Sequence, residues 1–96
     1  MSPDESLHVR NCPNPFSPTT EIHFDLRGSG CVDLVVYDVR GRQVRRLLAG
    51  EALAAGPHSV VWDGSSDSGA EVPPGVYLCR IRAEKVEGRA KMIVLK

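Results

Sequence analysis

Acidic side chains gathered in one polar segment are the residues of this sequence best suited to chemistry. Asp63, Asp67 and Glu71 lie in the run WDGSSDSGAEVPPGVY, which extends from Trp62 to Tyr77. Carboxylates are the hard oxygen ligands that Ca²⁺ takes in proteins, although this spacing departs from the Asp-x-Asp/Asn-x-Asp/Asn-Gly pattern of an EF-hand. Asp-Gly and Asp-Ser-Gly are also typical turn sequences. We favour turn formation for these acids, and a calcium site at the three carboxylates is the alternative.

A second set of titratable side chains alternates along one predicted strand. Glu21, His23 and Asp25 would share one strand face, with successive side chains about 7 Å apart. A transition-metal site or an acid and base pair would use these residue types, but a flat strand does not make them converge on one point. A solvated strand face is therefore the favoured interpretation.

The sequence offers no arrangement of nucleophile and base. No serine stands in a Gly-x-Ser-x-Gly elbow, no cysteine and histidine form a recognisable catalytic signature, and no phosphate-binding glycine loop is present. Since catalysis must be argued from a site, we predict that the chain is not an enzyme and that it needs no cofactor.

Three cysteines are too few and too widely spaced for a disulfide framework or a zinc site. The odd number leaves at least one thiol unpaired within the chain. On strand parity, Cys79 is predicted to be buried and Cys31 to be exposed or marginal. How Cys12, Cys31 and Cys79 pair, if at all, is left open.

The bulk composition predicts one folded domain. The chain has 96 residues, 42% of them apolar, and its 12 basic and 12 acidic residues cancel. A neutral chain has no overall field that would draw it to nucleic acid. Its apolar runs are about five times shorter than the roughly 20 residues that span a bilayer, so a soluble domain without a transmembrane segment is expected. Residues 1–6 lack the features of a signal peptide and are interpreted as a linker or an expression remnant before a domain over 7–96.

Alternating apolar and polar residues predict strands throughout this domain. Thr20 to Leu26 is the clearest, with Ile22, Phe24 and Leu26 on one face. Residues 43–55 are ambiguous between helix and strand, and we predict a strand over 43–48 followed by a loop. A proline-rich extended connection precedes the second strand, and a turn is predicted at 84–88. The predicted strands cover 7–10, 20–26, 32–37, 43–48, 58–63, 76–82 and 90–95, which together indicate a seven-stranded antiparallel immunoglobulin-like β-sandwich.

Some residues are assigned a structural role at turns, strand ends and the proline-rich connection. Trp62 and Tyr77 bracket the acidic loop, and glycines occur where tight turns are expected. The full set is Pro13, Pro15, Phe16, Tyr37, Gly41, Trp62, Gly69, Gly75 and Tyr77.

Several of these short motifs occur together in a recognisable order. They are Pro13-Asn14-Pro15-Phe16, then 36–42, 58–64, Asp67-Ser68-Gly69, 74–77 and 91–96. Over about residues 11–96 the chain resembles the immunoglobulin-like domain of flagellar hook-capping proteins. It is also similar to the related C-terminal sorting domains of bacterial type IX secretion substrates.

The resemblance implies a non-catalytic module at the end of a larger exported protein, found in secreted form or at the outer-membrane cell surface. Its implied partners are the secretion or surface-attachment machinery and the other domains of the same protein. Recognition is then expected in the last strand, at Lys91, Met92, Ile93, Val94, Leu95 and Lys96. The alternatives are a glycan-binding, adhesive or spacer domain and a hook-cap-like assembly scaffold.

Overall fold

A computed structural model describes residues 9–12, 19–84 and 86–95, and it is built from β-strands. The strands are β1 (Val9–Cys12), β2 (Thr20–Leu26), β3 (Gly30–Tyr37), β4 (Gln43–Leu53), β5 (Gly56–Trp62), β6 (Gly75–Ala83) and β7 (Val86–Val94). The predicted all-β class and seven strands are confirmed. In the described residues, no helix has the length and apolar character needed to cross a membrane.

The strands form two antiparallel sheets. One sheet has the order β1-β2-β5 and the other the order β4-β3-β6-β7. Strands β3 and β6 therefore lie at the centre of the four-stranded sheet, where Leu34 is the partner of Ile81 and Val36 that of Cys79. This arrangement confirms the predicted sandwich.

The core lies between the sheets and follows the period of two that the sequence predicts. In β2, Ile22, Phe24 and Leu26 are buried, whereas Glu21 and Asp25 are exposed. Because side chains alternate across a strand, the same rule puts one set of residues from each strand into the core. The other buried core residues include Val32, Leu34, Val36, Trp62, Val72, Tyr77, Cys79, Ile81, Met92 and Val94.

The prediction for β4 was wrong in length. Instead of ending at residue 48, the strand continues to Leu53, and β5 begins at Gly56. The register of β4 against β3 shifts at three places, so β4 carries β-bulges. At one of them Gly50 has a φ of 64°, a left-handed conformation that glycine adopts without steric cost. Extra residues of this kind break the alternation, which explains why the segment shows helix-like apolar spacing.

The turn predicted at 84–88 is shorter than expected. Strands β6 and β7 pair as far as Ala83 and Val86, and Gly88 is a buried residue within β7. Glu84, at the turn, has a φ of 54°. The prediction for the proline-rich connection, including Pro13, Pro15 and Phe16, concerns residues outside those that the structure describes.

Candidate recognition surface

The loop over 63–74, called the β5–β6 loop below, is held at both ends by aromatic side chains. Trp62 is fully buried, and its Nε1 donates a hydrogen bond of 2.9 Å to the carbonyl oxygen of Ser65. Tyr77 packs edge-on against Trp62, with ring centroids 5.7 Å apart. The Tyr77 hydroxyl donates a 2.6 Å hydrogen bond to the carbonyl oxygen of Pro73. The two rings therefore tie the loop to the core.

The middle of this loop docks on strand β4. The amide of Asp67 donates to the Val44 carbonyl at 2.9 Å, and Asp67 Oδ1 accepts the amide of Arg46 at 2.9 Å. Asp67 Oδ2 accepts a hydrogen bond of 3.0 Å from Gln43 Nε2. The hydrogen bond from the Arg46 amide is the largest cause of a lowered pKa of the Asp67 carboxyl, and the bond from Gln43 also lowers it. Since β4 is an edge strand with β3 as its strand neighbour, the loop covers backbone that would otherwise be open to another chain.

The carboxylate of Asp63 stabilises the turn that begins at Asp63 itself. Its Oδ1 accepts the amide of Ser65 at 3.0 Å and also the Ser65 hydroxyl, and the hydroxyl bond is the main cause of a lowered Asp63 pKa. Glu71 lies across an isolated β-bridge from Ser65. Within the described ranges, no group of three His, Cys, Asp or Glu side chains is placed so that it could hold a metal ion. The fold therefore does not assemble Asp63, Asp67 and Glu71 into the alternative calcium site.

The stripe on β2 lies on the outer face of the three-stranded sheet. His23 Nε2 is 3.5 Å from Glu21 Oε1, and Glu21 and Asp25 are exposed. Their contacts are those of a solvated strand face.

The cysteines that can be compared differ strongly in exposure. Cys31 and Cys79 are both free thiols; Cys31 is exposed and Cys79 buried. Burial raises the pKa of Cys79 to about 11. The side chain of Cys12 lies outside the described residues.

Other residues given a structural role fall at turns and strand ends. Tyr37 ends β3, and the following turn is closed by the Gly41 amide, which donates to the Asp38 carbonyl at 3.0 Å. Gly41 has a φ of 80°, which favours glycine there. Gly69 lies in the β5–β6 loop, and Gly75 begins β6.

The predicted recognition strand is β7, at the other edge of the four-stranded sheet. Its neighbour in that sheet is β6, and it also contacts β1 across the sandwich. Met92 and Val94 are buried, whereas Lys91 is exposed, Ile93 is partly exposed and Leu95 is 48% exposed. The segment therefore presents alternate side chains outward; Lys96 lies outside the described residues.

The sequence of this sandwich matches a known domain family. The sequence matches the FlgD Ig-like domain family over residues 16–87. The chain belongs to this family. The immunoglobulin-like fold predicted from the sequence is thereby confirmed. A comparison with curated proteins found no match.

Solved structures agree with this assignment. A FlgD structure from P. aeruginosa is similar at 32% identity and a TM-score of 0.62, covering 78% of this chain and 57% of the FlgD chain. Dimeric latent PorU from Porphyromonas gingivalis is similar at 24% identity and a TM-score of 0.70, covering 99% of this chain and 10% of the PorU chain. The latter likeness shows the fold alone. The FlgD Ig-like domain described here thus spans only part of each relative.

The family match ends close to the start of β7, the predicted recognition strand. It reaches residue 87, whereas β7 runs over Val86–Val94. Membership of the FlgD Ig-like family therefore accounts for the sandwich, and the role of residues 91–95 has to be argued from their own contacts.

Proposed function

We propose that the chain is a non-catalytic module of a larger exported protein, and that it directs type IX-type secretion and cell-surface attachment through β7. The observation that carries this proposal is the difference between the two edges of the four-stranded sheet. The β5–β6 loop covers the start of β4 with hydrogen bonds to Val44 and Arg46. Strand β7 contacts β1 and presents Lys91 and Ile93 outward, and Leu95 follows directly after it. An edge strand with accessible side chains suits recognition by another protein.

The relation to larger proteins supports a modular role. The chain corresponds to 10% of the PorU chain and to 57% of the FlgD chain. A domain of this size has its own core and can be attached to different partners. Under this proposal the larger protein supplies any activity, and the secretion or attachment machinery is the partner of β7.

A hook-cap-like assembly scaffold is a second candidate. It is favoured by the 32% identity to FlgD from P. aeruginosa over 78% of this chain. In that role the same sandwich would stabilise contacts between subunits of an assembly instead of marking a protein for export.

A reporter fusion tests the first candidate. Residues 7–96 fused to the C-terminus of a periplasmic reporter should carry it to the surface of a bacterium that has type IX secretion. The combined variant Lys91→Ala, Ile93→Ala and Leu95→Ala should leave the reporter in the periplasm, because it removes the outward side chains and keeps Met92 and Val94 in the core.

The matched control removes exposed apolar surface from the other sheet. Val61 on β5 is 59% exposed, so Val61→Ala should be exported like the unmodified fusion. A periplasmic reporter with the unmodified sequence would refute the sorting function. If, in addition, this domain restores motility when it replaces the corresponding part of P. aeruginosa FlgD, the scaffold function is favoured.

A further inference from the structure

The outer face of the four-stranded sheet carries several basic side chains. On β6 the residues between the buried ones point outward, and these include Arg80 and Arg82. Arg80 is the ladder partner of Val35 on β3 and of Arg89 on β7, and Val35 is also the partner of Arg46 on β4. The basic members of this surface, called the basic face below, are Arg46, Arg80, Arg82, Arg89 and Lys91.

Acidic side chains neutralise the basic face only in part. Asp33 Oδ1 is 2.7 Å from Arg46 Nη2, and one Glu87 oxygen is 2.7 Å from Arg80 Nε and 3.3 Å from Arg89 Nη2. Arg82 is exposed, and within the described part of the chain it forms no ion pair within 4 Å. Its ladder partners are Asp33 and Glu87, whose carboxylates already bond Arg46, Arg80 and Arg89. Because the whole chain has no net charge, the excess of basic groups here is balanced by acidic groups elsewhere.

Repulsion between basic side chains on this face destabilises the folded domain. Arg80 and Arg89 lie directly opposite each other in the antiparallel ladder, and like charges in that position are destabilising. The shared Glu87 carboxylate only partly offsets their repulsion, because one negative charge faces two positive ones. An anionic ligand would relieve the repulsion that remains.

Aromatic and apolar surface accompanies these charges. Tyr37 is partly exposed and lines two shallow grooves of about 140 and 340 Å³, both of which Arg80 also lines. Leu78, the ladder partner of Tyr37, is 41% exposed and lines the larger groove. An aromatic ring beside guanidinium groups can hold the apolar face of a sugar ring and its acidic substituent together.

We propose that the basic face is a binding site for an acidic polysaccharide, whose sugar ring packs on Tyr37 and whose acid groups pair with Arg80, Arg82 and Arg89. Guanidinium groups form forked hydrogen bonds with carboxylate, sulfate or phosphate, which suits such a polymer. This inference does not depend on the proposed export function, since the ligand would be bound by the folded domain alone.

Charge and shape favour this occupant over others. The same face of a second copy would bring like charges together, which disfavours a symmetric dimer through it. Single-stranded nucleic acid is bound on successive stacking aromatic rings, whereas Phe24, Trp62 and Tyr77 are buried and Tyr37 is the one partly exposed ring among the described aromatic residues.

Titration of the purified chain with defined polymers tests the proposal. Polygalacturonate and heparin should bind at a low salt concentration of about 50 mM, with affinity falling as salt rises, and neutral dextran should not bind. Arg82→Gln should weaken binding about fivefold, since each basic side chain near an anionic surface contributes roughly that factor. Tyr37→Ala should weaken polygalacturonate binding about fivefold and Tyr37→Phe should not, because the ring is the contacting group.

The matched control is Arg27→Gln, which removes the same charge at the exposed turn between β2 and β3. It should bind like the unmodified chain, and thermal melts should confirm that each variant folds. Equal weakening by Arg82→Gln and Arg27→Gln would overturn the proposal, because binding would then be a general charge effect. Polyglutamate or an oligonucleotide binding as tightly as polygalacturonate would overturn it as well, and so would an absence of binding to both acidic polysaccharides.

Discussion

The buried thiol of Cys79 should make the stability of the domain depend on pH in the alkaline range. Burial raises its pKa from 9.0 to about 11, so the folded chain keeps a proton that the unfolded chain loses first. The resulting stability is fully present below pH 9 and is lost as pH rises through 11. Two pKa units correspond to about 2.7 kcal/mol at 1.36 kcal/mol per unit, and about half of that is lost by roughly pH 10.

Urea denaturation of the unmodified chain and of Cys79→Ala measures this loss. Other groups titrate in the same range, but they are present in both proteins and largely cancel in the difference. The stability advantage of the unmodified chain over the variant should therefore shrink by about 1.4 kcal/mol between roughly pH 7.5 and 10. An advantage that is the same at both pH values would refute the reasoning, because Cys79 would then have a similar pKa in the folded and unfolded states.

Three further predictions concern the β5–β6 loop. Tyr77→Phe should lower the free energy of unfolding by about 1 kcal/mol, and Tm by about 4–8 °C, because the hydrogen bond to the Pro73 carbonyl is lost; an unchanged melt would contradict this. Asp67→Ala should expose the edge of β4 and increase oligomerisation, measured by light scattering. The control Asp25→Ala, at an exposed residue of β2, should not change the oligomeric state. Equal behaviour of the two variants would argue against protection of the β4 edge by the loop. EDTA should leave Tm unchanged because Asp63 and Asp67 bond protein groups, and a drop of several degrees would instead support the calcium site.

The regular strands could be predicted because their side chains alternate. Ile22, Phe24 and Leu26 are separated by polar residues, and a period of two identifies both the strand and its buried face. The exposure of Cys31 and the burial of Cys79 followed from the same rule, since each lies in a strand whose alternation is not interrupted there.

The remaining features depend on contacts between distant residues. The register shifts in β4 break its alternation, so neither its length nor its bulges could be inferred from apolar spacing. The local sequence around Asp67 predicts a turn residue. Its carboxylate, however, accepts hydrogen bonds from Gln43 and Arg46, which are 24 and 21 positions away in the sequence. The basic face likewise forms only when β4, β3, β6 and β7 pair in that order, because its side chains and Tyr37 come from separate strands.

The central position of β3 and β6 has a kinetic consequence. Their ladder joins residues 32–37 to residues 78–83, so the middle of the four-stranded sheet cannot form until most of the chain is present. Pairing over such a sequence distance makes folding slow, on the order of milliseconds to seconds, in sandwiches of this kind. During that delay the apolar residues of β3 and β6 are not yet covered by their neighbours, so an incompletely folded chain can associate with other chains.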